Sequence, residues 1–381
     1  PFAGAGERLD FGGSWVLASQ PLVHRLAAEL GLPWRATLPV TARRWLRPDG
    51  LDLEQPSADR GPHDACLRQV AADALARKAG QERDRRGRAW QTVTFAQYLD
   101  EIAAPPSARA ELMAWWCLAG SGDPDLVSAD GILAACRYGD GRPEGYLEAL
   151  AESLPAGADA RVAGLLAQAG VVAELNRAVV AVAQEGDGVV LRLADGAALV
   201  APWLLLATGS NPLRDIAFTP PLPGLTAAAV TAGHQGRAVK LWLHAEGVAP
   251  GTLATGQGPG LRWLFAERPA AAGGVYLVGF GLAEAGRSPT RAYAEAALAA
   301  FFPEARLLDW DGPDGVGDPF ARGTWVAPPA ARPELFTAAA WQPQGRIHFA
   351  SSDFGTASAG WFEGALESGL AAAEALHQAL T

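Results

Sequence analysis

Cysteine is scarce in this chain. Cys66, Cys117 and Cys136 are the only three in 381 residues, too few and too scattered for a disulfide framework or a zinc site. The six histidines show no ligand spacing. No run of 18 apolar residues is free of charge, proline and glycine, so no membrane-spanning helix is expected. Basic charge is not in excess either. A formal net charge of -10 argues against a general nucleic-acid binder. No Ser, Cys or His constellation for nucleophilic catalysis stands out. What remains is 49% hydrophobic and 19% charged, enough for two or more packed units in a chain of this length.

The patterning divides the chain. Residues 17–34 read as a helix with an apolar stripe of Leu22, Val23, Leu26, Ala27 and Leu30, stopped by Gly31 and Pro33. Residues 35–170 read as helix-rich. The arginines of 66–88 suit a solvated helix and loop better than a phosphate site, and Trp115-Trp116-Cys117 reads as core. Arg137 to Tyr146 is a Gly-rich turn leading into a helix. Residues 171–206 switch to period two, with strands over 171–182, 189–193 and 200–207 joined at Gly186-Asp187-Gly188 and Asp195-Gly196. The alternation of Val239-Lys240-Leu241 places Lys240 on the opposite strand face from its neighbours. A strand over 275–282 and a helix over 289–302 follow. Residues 346–376 read as a short buried strand, a turn and a helix beginning near Gly360.

That last stretch resembles the C-terminal signature of the flavin-containing monoamine oxidase family. There, a strand ending in Phe-Ala-Gly is followed by Thr-Glu, a spacer and Gly-Tyr-x-Glu-Gly-Ala. Here Ser351-Ser352-Asp353 stands where the family has Gly-Thr-Glu, and Trp361 where it usually has Tyr. Four more stretches are similar. Leu9-Asp10-Phe11-Gly12-Gly13-Ser14 matches the family's Leu-Asp-x-Gly-Gly-Ser-aromatic. Thr208 closes an Ala-Thr-Gly strand end. Pro220-Pro221-Leu222-Pro223 precedes a Gly-x-x-x-Lys that ends at Lys240. Asp318-Pro319-Phe320 leads to Gly323-Thr324-Trp325.

The resemblance implies a mixed α/β, two-domain fold with discontinuous domains. Residues 1–40, 155–229 and 320–381 would form the FAD-binding domain, and 41–154 and 230–319 the substrate domain. It implies cofactor contacts at Gly12, Gly13, Ser14, Val179, Thr208, Ser352, Asp353, Gly360 and Phe362. It also implies an aromatic pair, Trp325 and Trp361, flanking the amine, and a water held by Lys240 against the flavin. Covalently flavinylated members carry Cys where this chain has Thr324, so non-covalent FAD is expected. The expected reaction is oxidation of a small-molecule amine, with oxygen reduced to hydrogen peroxide.

An L-amino-acid oxidase would need an arginine for the substrate carboxylate, and Arg137 and Arg322 are both candidates. A non-catalytic flavoprotein subunit is a third reading. It draws on one departure from the family. The family's Gly-x-Gly-x-x-Gly βαβ unit, which holds the FAD pyrophosphate, is not found in these residues, and Gly4 and Gly6 do not supply it. A short second polypeptide of roughly 40–60 residues, the size of such a unit with its flanks, is therefore expected to carry it. It would arise by precursor cleavage or as a separate subunit. The expected location is cytoplasmic, with the periplasm and further homo-oligomerisation left open.

Overall fold

The computed structural model describes residues 7–47, 50–52, 60–284, 288–355 and 358–380. Gly4 and Gly6 lie outside them. The fold is mixed α/β, with ten α-helices and several sheets among the described residues.

The largest sheet has seven strands, in the order Arg306–Asp311, Ala238–Glu246, Val275–Leu282, Leu261–Pro269, Thr252–Gly256, Ala42–Arg47, Gly50–Asp52. All neighbours are antiparallel except Thr252–Gly256 beside Ala42–Arg47. Its central strands are buried on both faces, so they read as continuous apolar runs. The two faces meet different helices. Val239, Leu241 and Leu243 pack with Ala294, Leu298 and Phe301 of helix Arg291–Phe301. Trp242, Trp263, Phe265 and Phe280 pack with Leu112 and Trp115 of helix Pro106–Ala119. Period two thus puts Lys240 on the same face as Trp242, toward the helical block.

That block contains Arg60–Lys78, Phe95–Glu101, Pro106–Ala119, Asp130–Cys136 and Pro143–Ala149. Thr94 and Gln97 form a capping box at the start of the second of these. Trp116 stacks on Phe95 at 4.1 Å between centroids. All three cysteines are buried here. Burial pushes the thiol of Cys66 up to about 11 and that of Cys117 up to about 12, and raises Cys136 as well.

The remaining sheets are small. One has the order Ala217–Thr219, Val179–Glu185, Gly188–Leu193, Ala198–Ala201. Leu204–Leu206 runs parallel to Ile347–Phe349. Trp15–Val16, Glu152–Ser153 and Arg35–Ala36 form a third. The final helix, Phe362–Leu380, is tied to Pro21–Glu29 by one residue. Glu363 accepts from the backbone N–H groups of Leu22 (2.9 Å) and Val23 (3.0 Å). A carboxylate there serves as the N-terminal cap that Pro21–Glu29 lacks locally.

Four expectations from the sequence need correction. The helix expected over 17–34 spans only Pro21–Glu29, because Pro21 fits its first turn and Gly31 leaves it at φ 66°. The strand expected from 171 begins at Val179. Gly170 (φ 63°) and Asn176 (φ 60°) are left-handed, which breaks the alternation. The strand expected over 200–207 is two, Ala198–Ala201 and Leu204–Leu206, separated at Pro202, which has no N–H for a ladder. Within the helix-rich span, Ala42–Arg47 instead joins the large sheet.

Candidate active site

A cavity of about 1080 Å³ opens between the helical block, the large sheet and the start of the final helix. Single small-molecule sites usually span about 300–1,000 Å³, so it is large enough for a flat cofactor beside a small substrate. Nine of the twelve residues singled out from the sequence line it. Gly12, Gly13 and Ser14 come from one loop, and Lys240 from the large sheet. Trp325 comes from an irregular segment and Ser352 from a short 3-10 turn, Ser352–Phe354, while Gly360 and Trp361 precede the final helix and Phe362 begins it. Val179, Thr208 and Asp353 lie off its wall. Val179 is half-buried on its strand and Thr208 is exposed. Asp353 is buried, accepting from the N–H (2.8 Å) and Oγ (2.9 Å) of Ser210.

The Gly12–Ser14 loop is held by Lys240. Its Nζ donates to Asp10 O (2.7 Å), Gly12 O (2.5 Å) and Ser14 Oγ. Trp242 Nε1 adds a bond to Asp10 O at 2.9 Å. Burial pulls the Lys240 amine down to about 7, while Asp10 and Glu267 act the other way. The three acceptors engage all three donors of an ammonium. In this geometry Lys240 is first of all a clamp on the loop.

Glycine matters at two places. A Cβ on Gly13 would stand 2.7 Å from the ring of Phe362, so the loop and the final helix meet there at backbone distance. Gly360 turns the chain at φ 79°, a conformation that favours glycine. At Gly12 an added Cβ would meet no protein atom within 4 Å, so bare backbone faces the cavity. Beneath Phe362 lies Arg161, its guanidinium 3.8 Å from the ring centroid, with burial pulling its pKa down to about 10.

The tryptophans are fixed by different neighbours. Trp361 meets the edges of Tyr138 (6.1 Å, 70°) and Tyr146 (6.3 Å, 84°). Trp325 meets Phe280 (6.1 Å, 73°). Tyr138, Tyr146 and Phe280 also line the cavity, and sequence reasoning did not single them out as walls. Phe280 had a readable signal, since it is the cross-strand partner of Lys240. The tyrosines had none beyond their place around the Gly-rich turn. Thr324 Oγ1 accepts from the N–H of Ala238 at 3.0 Å, so that hydroxyl anchors the tryptophan-bearing segment to the large sheet. Arg322 forms an ion pair with Asp215, whereas Arg137 lines the cavity.

A family model described as flavin-containing amine oxidoreductase matches residues 2–377. The chain belongs to this family. It is a flavin-dependent amine oxidoreductase by membership. Among curated relatives, it is 29% identical over 383 residues to (S)-6-hydroxynicotine oxidase of Paenarthrobacter nicotinovorans, covering 97% of this chain and 88% of that protein. It is 21% identical over 388 residues to pseudooxynicotine dehydrogenase of a Pseudomonas species, covering 96% and 76%. The fold matches a solved structure of putrescine oxidase with putrescine bound, at a TM-score of 0.78 and 18% identity over 96% of this chain and 88% of that one. A flavin suits the residues present in this amine oxidoreductase. The cavity is wide, its floor is glycine backbone at Gly12, and its walls are aromatic.

Proposed function

We propose that this chain oxidises a small-molecule amine using FAD bound without a covalent link. The observation that carries this reading is the occurrence of Trp325, Trp361 and Lys240 on one cavity wall system. FAD, held along the backbone of Gly12–Ser14, Ser352 and Gly360–Phe362, would accept the hydride from the carbon next to nitrogen. The chain's own residues do the rest. Trp325 and Trp361 confine the amine to a few orientations. Their faces attract the cation as it approaches, by about 0.5–2 kcal/mol. The apolar cavity then favours the neutral amine, whose lone pair the reaction needs. Lys240 keeps the Gly12 loop in place and supplies positive charge where oxygen reduction develops negative charge. The imine product hydrolyses to a carbonyl compound and ammonia or a smaller amine, and oxygen leaves as hydrogen peroxide.

The domain division proposed is 1–40, 155–229 and 320–381 for FAD, and 41–154 and 230–319 for substrate. The assignment of Val179, Thr208 and Asp353 to the cofactor belongs to this reading and rests on the resemblance. The location is proposed to be cytoplasmic. Acid precipitation of the purified yellow protein tests the cofactor. The expected result is colour in the supernatant, and colour kept in the pellet contradicts a non-covalent link.

A further inference from the structure

We infer that Arg137 is an anion-recognising residue of the cavity, and that the amine oxidised here carries a carboxylate on its carbon skeleton. The inference deepens the proposed amine oxidation and uses the same cavity. Three cationic side chains line that cavity, Arg77, Arg137 and Lys240, and two are already satisfied. Arg77 holds Asp130 through two bonds (2.8 and 3.2 Å) and Glu82 through a third (2.8 Å). Lys240 spends its donors on the Gly12 loop. Arg137 forms no ion pair among the described residues. Its guanidinium lies over the Tyr138 ring, 5.4 Å from the centroid, and the Tyr138 ring in turn packs edge-on against Trp361.

The acidic side of the balance points the same way. Asp130 is consumed by Arg77, and Asp318 is exposed, accepting from the N–H of Phe320 at 2.8 Å. Among the described lining residues, Asp318 alone keeps a carboxylate without a cationic partner, and it is exposed, so no buried unpaired carboxylate stands in the cavity wall to receive an ammonium. An unpaired half-buried guanidinium presents a planar fork of donors that a carboxylate matches with two parallel bonds. Stacking on Tyr138 limits its motion, so little entropy is lost when the anion arrives. The substrate's amine end would then lie at the tryptophans and its anionic end at Arg137, one ring away. Arg322 does not serve, because Asp215 already occupies it.

The test is a binding measurement on the complete yellow protein, independent of turnover. Benzoate and its uncharged isostere benzamide are titrated by calorimetry, with tryptophan fluorescence as a second readout. Benzoate is expected to bind about 10- to 100-fold tighter than benzamide, the range for a charge-assisted hydrogen bond. Arg137→Met should erase that preference, and Arg137→Lys should retain part of it. Equal binding of the two probes, no binding of either, or a preference that survives in Arg137→Met overturns the assignment. Oxidase assays on the same samples separate the two ideas. A benzoate preference without oxidation of any amine leaves Arg137 as an anion site and removes the amine-oxidation reading. Amine oxidation without the preference does the reverse.

Discussion

The large sheet and the small sheets bury their apolar residues to different degrees. In the seven-stranded sheet, Trp242, Trp263, Phe265, Tyr276 and Leu277 are no more than 2% exposed, covered by a helix on each face. Around the small sheets, Val172 is 88%, Leu175 77% and Val200 76% exposed. Final helix Phe362–Leu380 buries only Glu363, Gly364 and Ala372. One region satisfies its own hydrophobic demand within these residues. The other leaves individual large apolar side chains in solvent.

That contrast can be broken or sharpened by substitution. Trp263→Ala removes a fully buried ring that touches Trp15, Trp115 and Phe280. It should cost about 3–5 kcal/mol in denaturant unfolding. A cost below 1 kcal/mol would place the sheet face among the loosely packed parts. Between the two regions, Trp361→Ala should lower amine turnover on the order of 100-fold while the flavin spectrum persists. Unchanged turnover would remove Trp361 from the site. Lys240→Met should slow reoxidation more than reduction in stopped-flow traces, and the opposite order would leave it only the clamp role.

The helical block holds a buried acid–base cluster that predicts pH dependence. His63 Nε2 lies 2.8 Å from Glu111 Oε2, and that hydrogen bond raises its pKa to about 9 despite burial. Glu144 is raised to about 7, by burial first and by the charge of Glu111 next. For both groups the folded value lies above the ordinary one. The stability they contribute is complete below 4.5 for Glu144 and 6.5 for His63, and is lost as pH rises through about 7 and about 9. Lys240 opposes them. Its depressed value, about 7 against 10.5, adds stability as pH rises across that interval. Unfolding midpoints should therefore fall most clearly between about pH 5 and 7. Between about pH 7 and 9 the His63 and Lys240 contributions oppose each other, so His63→Gln should turn that part of the profile upward, and an unchanged profile would show that His63 does not titrate with folding. The smallest effect is expected at Val172→Ser, within about 0.5 kcal/mol. A cost above about 1 kcal/mol would show that Val172 is packed rather than exposed.

Much of the site was legible because its residues sit at strand ends and turns with strong local signals. Gly12-Gly13, Gly360-Trp361 and Lys240 each fall in a short stretch whose period or glycine content is distinctive, and they converge on one cavity. Strand Ala238–Glu246 was readable for the same reason. The region 171–207 was not. Val, Leu and Ala alternate there across Asn176 and Pro202, and single backbone constraints at those residues override the pattern. The long-range bond from Glu363 to the helix at Pro21 was also invisible, since 340 residues separate donor and acceptor and no local motif announces it. Nor does spacing reveal that Arg137 lacks a carboxylate while Arg322 has one.

The buried thiols have a consequence for an enzyme that would generate its own oxidant. Peroxide attacks thiolate, not thiol, and the desolvated interior keeps Cys66 and Cys117 protonated at any physiological pH. The single methionine, Met113, is half-buried within helix Pro106–Ala119. The two thiols are thus poor targets for peroxide. A thiol reagent added to the native protein should label none of the three cysteines until denaturant is present; prompt labelling would mean that this chemical reserve does not exist.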